Sequence, residues 1–113
     1  MTPDKDARKA AIAAYKERKA PAGVFALRCA ASGEAWVGQA RDLATIRNRI
    51  WFALDHGSHP VKGLQATWNA HGREALAFEE LERIDPDLPD YARETALRER
   101  AAAWRAELGA ATV

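Results

Sequence analysis

Gly23-Val24-Phe25-Ala26-Leu27-Arg28-Cys29, followed after a short break by Ala35-Trp36-Val37-Gly38, is the stretch on which the fold turns. The first seven residues form a short, largely apolar run of the kind that suits a strand. Ala31-Ser32-Gly33-Glu34 has turn chemistry, being small and polar with one glycine. Strand character resumes at Ala35. Together these runs predict a β-hairpin, with ten residues between Phe25 and Trp36.

Beyond the hairpin, Asp42 is placed to cap a helix starting at Leu43. Leu43, Ile46, Ile50 and Leu54 recur at spacings of three and four, which is one face of an amphipathic helix. Trp51 and Phe52 widen that face, and His56-Gly57 closes the helix. Ser58-His59-Pro60 is expected to open a second helix, with Val61, Leu64, Trp68 and His71 as its stripe and Gly72 at its end. Leu76, Phe78 and the segment to Ile84 read as a third strand. The run from Asp85 to Asp90 is rich in breakers and reads as a loop. A last helix runs from about Tyr91 to Leu108, with the stripe Leu97, Ala101, Trp104 and Leu108, and ends at Gly109.

On the other side of the hairpin, Thr2-Pro3-Asp4 has the chemistry of a helix start. Ala7, Ala11, Ile12 and Tyr15 give a thin apolar stripe, and Pro21 stops the helix. The order of elements predicts an α+β domain, a three-stranded antiparallel sheet flanked by helices, with an extra N-terminal helix. Residues 1–20 are expected to be a helical extension and residues 21–109 the main domain.

Composition bounds the function. The chain has 113 residues, 48% hydrophobic and 29% charged, an ordinary globular balance. A net charge of +1 is far from that of a protein that coats nucleic acid, so any such binding must use a local patch. The single cysteine, Cys29, cannot form an internal disulfide and fits a reducing compartment. The polar start Met1-Thr2-Pro3-Asp4-Lys5-Asp6 is not followed by an apolar run, so neither a signal peptide nor a membrane span is expected, and the location read from this is cytoplasmic.

The hairpin also carries a resemblance. Gly23-Val24-Phe25 and Trp36-Val37-Gly38 resemble the two halves of the motif that names the GIY-YIG nuclease superfamily. Gln39-Ala40-Arg41-Asp42-Leu43 is similar to the segment that leads that family's first core helix, and His56-Gly57-Ser58-His59 to the loop that ends it. Leu64-Gln65 and Asn69-Ala70-His71-Gly72 resemble the second helix of the phage-type homing endonucleases. Ala77-Phe78-Glu79-Glu80-Leu81-Glu82 looks like the third strand. The resemblance runs from Gly23 to about Leu108.

That resemblance implies a chemistry. GIY-YIG enzymes cut a phosphodiester with one divalent metal, and need an activated water, a hard oxygen ligand for the metal and a cation on the phosphate. In the family, two tyrosines, an arginine, a His or Tyr one turn later and a glutamate on the last helix fill these roles. Matched one by one, those positions hold Phe25, Trp36, Ile46, Ile50 and, anchored on Trp104, Ala101. Phe25 keeps a ring without the hydroxyl. Trp36 keeps a donor but nothing that ionises. Ile46 and Ile50 turn an expected polar pair into an aliphatic one on a single helical face. The resemblance therefore implies the fold without family-type cleavage. No cofactor or metal is expected, with Mg²⁺ implied only if a nuclease activity holds.

Several polar residues carry two readings each. Arg41, Arg47 and Arg49 could contact nucleic acid, or could be ordinary solvated arginines; a one-residue slip would bring Arg47 to the missing arginine position. His59 could touch a phosphate or act as a base, or could fix the loop before the helix. Gln65 and Asn69, one turn apart, could read a ligand or bond to nearby backbone. His56, His59 and His71 match no standard zinc spacing. The four tryptophans are expected in the core or at an interface.

Three functions follow. The first is a nucleic-acid-binding or regulatory module that contacts DNA or RNA through a local basic patch. The second is a divergent metal-dependent DNA endonuclease recruiting Arg47 or Arg49, His59 and an acid such as Glu80 or Glu99. The third is a protein-interaction or homodimerisation domain, with Ile46 and Ile50 making the old cleft an apolar surface.

Overall fold

The computed structural model describes residues 21–113, so the helix expected over residues 1–20 lies outside the described residues. Strand β1 spans Ala22–Cys29 and β2 spans Ala35–Ala40. They pair antiparallel in the predicted hairpin, with Phe25 opposite Gly38 and Leu27 opposite Trp36. Helix α1 is Leu43–Asp55, and Asp42 caps it, its Oδ1 accepting from the Ala44 amide at 2.9 Å. Helix α2 is Lys62–His71, followed by a 3₁₀ turn at Arg73–Ala75 and strand β3 at Leu76–Ile84. Helix α3 is Asp90–Leu108, and β4 is the pair Ala111–Thr112. No described helix is long and apolar enough to cross a membrane.

The sheet corrects one expectation. It has four strands in the order β3-β1-β2-β4 and is mixed, because β4 runs parallel to β2. A strand of two residues has no alternation for a sequence to display. It forms because Gly109 takes the left-handed conformation, φ 62°, and turns the chain back from α3 towards β2. A second departure is the start of α2, two residues after Pro60.

Strand β1 lies between β3 and β2 and is buried on both faces, which is why it reads as a nearly unbroken apolar run. Phe25, Leu27 and Cys29 point to one face, where α1 and α2 cover them through Leu43, Ile50, Leu54, Leu64 and Trp68. Val24 and Ala26 point to the other face, where α3 covers them through Ala101, with Trp104 and Leu108 beside it. A register shift separates the pair Val24–Glu82 from the pair Phe25–Glu80. Leu81 is the extra residue, and this bulge lets Leu81 and Glu82 both meet α3.

Candidate nucleic-acid interface

The two motif glycines are fixed by what surrounds them. A Cβ on Gly23 would overlap the carbonyl oxygen of Glu82 on β3 and lie 2.7 Å from a Leu43 methyl group. A Cβ on Gly38 would lie 2.7 Å from the Phe25 ring and 3.0 Å from Val113. The hairpin thus carries glycine where β3 and the Phe25 ring press against it. Phe25 in turn stacks on Phe78 of β3, with ring centroids 5.2 Å apart.

The positions matched to the family's catalytic residues are packed as core. Phe25 is 1% exposed, Trp36 3% and Ile50 5%, all in the cluster beneath α1 and α2. Ile46 is half-buried against the same cluster. Ile46 and Ile50 therefore point inward and do not form the surface patch that a dimer interface would need. Ala101 is fully buried, but on the opposite face of the sheet, against Val24, Ala26 and Val37. The five positions are not gathered around one opening.

The opening next to that cluster has a different lining. Leu43, Ala44, Arg47 and Asn48 of α1 face Phe78 and Glu80 of β3 across a shallow cleft of about 290 Å³. Arg47, one residue past the apolar Ile46, is the cation that reaches it. The sequence reading missed Asn48 and Phe78 as cleft residues. The available signal was the spacing of four between Leu43 and Arg47, which places Arg47 over the strand edge.

The six polar candidates fall into two groups. Arg41 precedes α1 and forms an ion pair with Glu94 of α3. Arg47 and Arg49 lie on α1, exposed, and make no ion pair among the described residues. His59, Gln65 and Asn69 form a hydrogen-bonded unit that joins the loop before α2 to that helix. The buried Gln65 accepts from the His59 amide at 3.2 Å, and donates to the Leu54 carbonyl at 2.9 Å and to Asn69 Oδ1 at 3.0 Å. Its amide is fully committed to holding the loop. His59 Nδ1 accepts from the Val61 amide at 3.1 Å, which puts the ring proton on Nε2 in neutral histidine. Partial burial holds the His59 pKa below the usual imidazole value.

The matched positions offer no oxygen ligand for a catalytic Mg²⁺. The position matched to the family's metal-binding glutamate is a buried methyl group, Ala101. Among the described residues there is no group of three or more His, Cys, Asp or Glu side chains placed to hold a metal ion. Glu80, the one acid in the cleft, is tied to Arg83 at 3.2 Å.

No protein-family model and no curated protein matches the chain. Two solved structures do. One is a mutant form of the catalytic domain of intron endonuclease I-TevI, with a TM-score of 0.68 and 26% identity over 79% of this chain and 84% of that one. The other is the catalytic domain of homing endonuclease I-TevI, with a TM-score of 0.68 and 25% identity over 81% of this chain and 97% of that one. The resemblance read from the hairpin is therefore matched in three dimensions. The chain has the α+β fold of a GIY-YIG homing endonuclease catalytic domain, with three described helices and a four-stranded mixed sheet.

Proposed function

We propose that this endonuclease-like domain binds nucleic acid along α1 and does not cut it in the manner of GIY-YIG enzymes. The observation that carries this reading is the burial of Phe25, Trp36, Ile50 and Ala101 as apolar core. A phosphodiester cleavage site needs polar groups aimed at the reacting phosphate, and each lost electrostatic donor costs about 2.7–4 kcal/mol of transition-state stabilisation. Here the positions matched to the family's cation, base and metal ligand carry Ile46, Ile50 and Ala101. The partner follows from the structures the chain is similar to, which are endonuclease catalytic domains.

Binding would rest on Arg47 and Arg49, guanidinium groups suited to phosphate oxygens. With a net charge of only +1, affinity would be modest and steeply salt-dependent. The test is the binding of labelled DNA and RNA across a salt series, with an Arg47→Glu plus Arg49→Glu variant alongside. The wild type should bind at low salt, and the variant should lose at least about tenfold and lower the salt slope by about two. Equal binding by both proteins, or no binding by the wild type at low salt, contradicts the reading.

A second reading, a divergent nuclease, draws on one observation: Arg47 and Glu80 share the cleft. It still requires a base there, and neither His59 nor Glu99 lines that cleft.

A further inference from the structure

We infer that Phe52 and His56, on the outer ridge of α1, form a stacking platform for an unpaired nucleobase of a single-stranded nucleic acid; this rests on the nucleic-acid reading above. Phe52 is 66% exposed, and only it and Tyr91 are exposed large hydrophobic side chains among the described residues. Its ring sits on the His56 imidazole, with centroids 4.2 Å apart and planes 32° apart. His56 is held in turn, because its Nδ1 is 2.8 Å from the Phe52 carbonyl oxygen. The pair is thus an oriented aromatic surface with most of the phenyl ring in water.

Its position joins it to the cleft. Ala44, Asn48, Phe52 and His56 follow one another at intervals of four, forming a single ridge about 18 Å long at 1.5 Å rise per residue. Ala44 and Asn48 line the cleft at one end, and the aromatic pair stands at the other. Arg49 lies three residues before Phe52, and Arg47 lines the cleft, so two cations with no carboxylate partner among the described residues flank the ridge. Asp55, in the last turn, is the one acid in the helix.

A track of cations beside an exposed aromatic ring is the chemistry of single-strand recognition, in which phosphates meet arginines and a base stacks on the ring. A duplex keeps the faces of its internal bases stacked away from such a ring. A protein partner fits less well. A stable interface takes about 800 Å² from each side around an apolar centre, and the Phe52–His56 pair has the exposed polar residues Thr45, Asn48, Arg49 and Asp55 on the same helix.

The experiment uses the full chain, a chelator, and a short single-stranded oligonucleotide carrying 2-aminopurine, compared with the same sequence as a blunt duplex. The wild type should bind the single strand more tightly and quench the 2-aminopurine. Phe52→Ala should weaken single-strand binding by about tenfold and abolish the quench while leaving duplex binding unchanged, and Phe52→Trp should restore both. An unchanged single-strand affinity and quench in Phe52→Ala, with the Arg47→Glu plus Arg49→Glu variant still impaired, overturns the platform and leaves the binding reading standing. No binding of either form by the wild type at low salt overturns both.

Discussion

At the scale of single residues, Gly23 and Gly38 are both held to glycine, but by different neighbours. Gly38 faces the Phe25 ring, a side chain that can be shortened, whereas Gly23 faces the backbone carbonyl of Glu82, which cannot. Gly38→Ala should therefore destabilise the fold by about 1–3 kcal/mol through overpacking, and Phe25→Leu in the same chain should recover part of that loss. Gly23→Ala should cost more, and Leu43→Ala should not rescue it, because the β1–β3 pair itself has to part. Urea midpoints of the four variants decide the matter, and an equal rescue at both sites would contradict this account. The sequence displayed both glycines and their spacing, but not their reasons. The close approach of β3 depends on pairing with a strand more than fifty residues away, which no local pattern encodes. The commitments of Gln65 were equally hidden, since its carbonyl partner, Leu54, lies on another helix.

At the scale of elements, one carboxylate locks α3 to the sheet. Glu82 Oε1 accepts from Trp104 Nε1 at 2.9 Å, and the Glu82 carboxylate accepts from Arg100 Nε at 2.9 and 3.1 Å. The Trp104 N–H and then the Arg100 guanidinium hold the Glu82 pKa below the usual glutamate value. A folded-state pKa below the unfolded value, about 4.3, means stability that is present above that value and is lost as pH falls through the folded one. The wild type should accordingly lose part of its stability below about pH 4.3. Glu82→Gln should be less stable at neutral pH by about 1 kcal/mol, after allowing for solvent screening. It should also show a flatter acid limb in thermal melts taken from pH 7 to 3. An acid limb identical in both proteins would remove Glu82 from this role. Most elements were legible because their periods are strong. The stripes Leu43, Ile46, Ile50, Leu54 and Leu97, Ala101, Trp104, Leu108 both point into the core. The bulge at Leu81 and strand β4 were not, because one extra residue and a two-residue strand leave no periodic trace.

At the scale of the whole molecule, the fold of an endonuclease catalytic domain is present, while the positions that the sequence resemblance assigns to its chemistry lie on two faces of the sheet and hold apolar side chains. Restoring the family residues would meet this packing directly. A glutamate at position 101 would place a carboxylate between α3 and the sheet, in a contact with no exposure, where an unpaired charge is costly. The packing thus ties the apolar side chains at these positions to the stability of the core. What the sequence offered at this scale was the expectation that polar family positions hold apolar residues; what it could not convey was that Ala101 lies apart from Phe25 and Trp36. The most direct measurement incubates the repurified protein with supercoiled plasmid, single-stranded DNA and RNA, each with Mg²⁺, with Mn²⁺ and with a chelator, and runs the products on native and denaturing gels. Shifted but intact nucleic acid is expected under all three conditions. Metal-dependent cleavage that persists through repurification and disappears in Arg47→Ala would contradict this expectation, and would make the cleft between α1 and β3 a working active site.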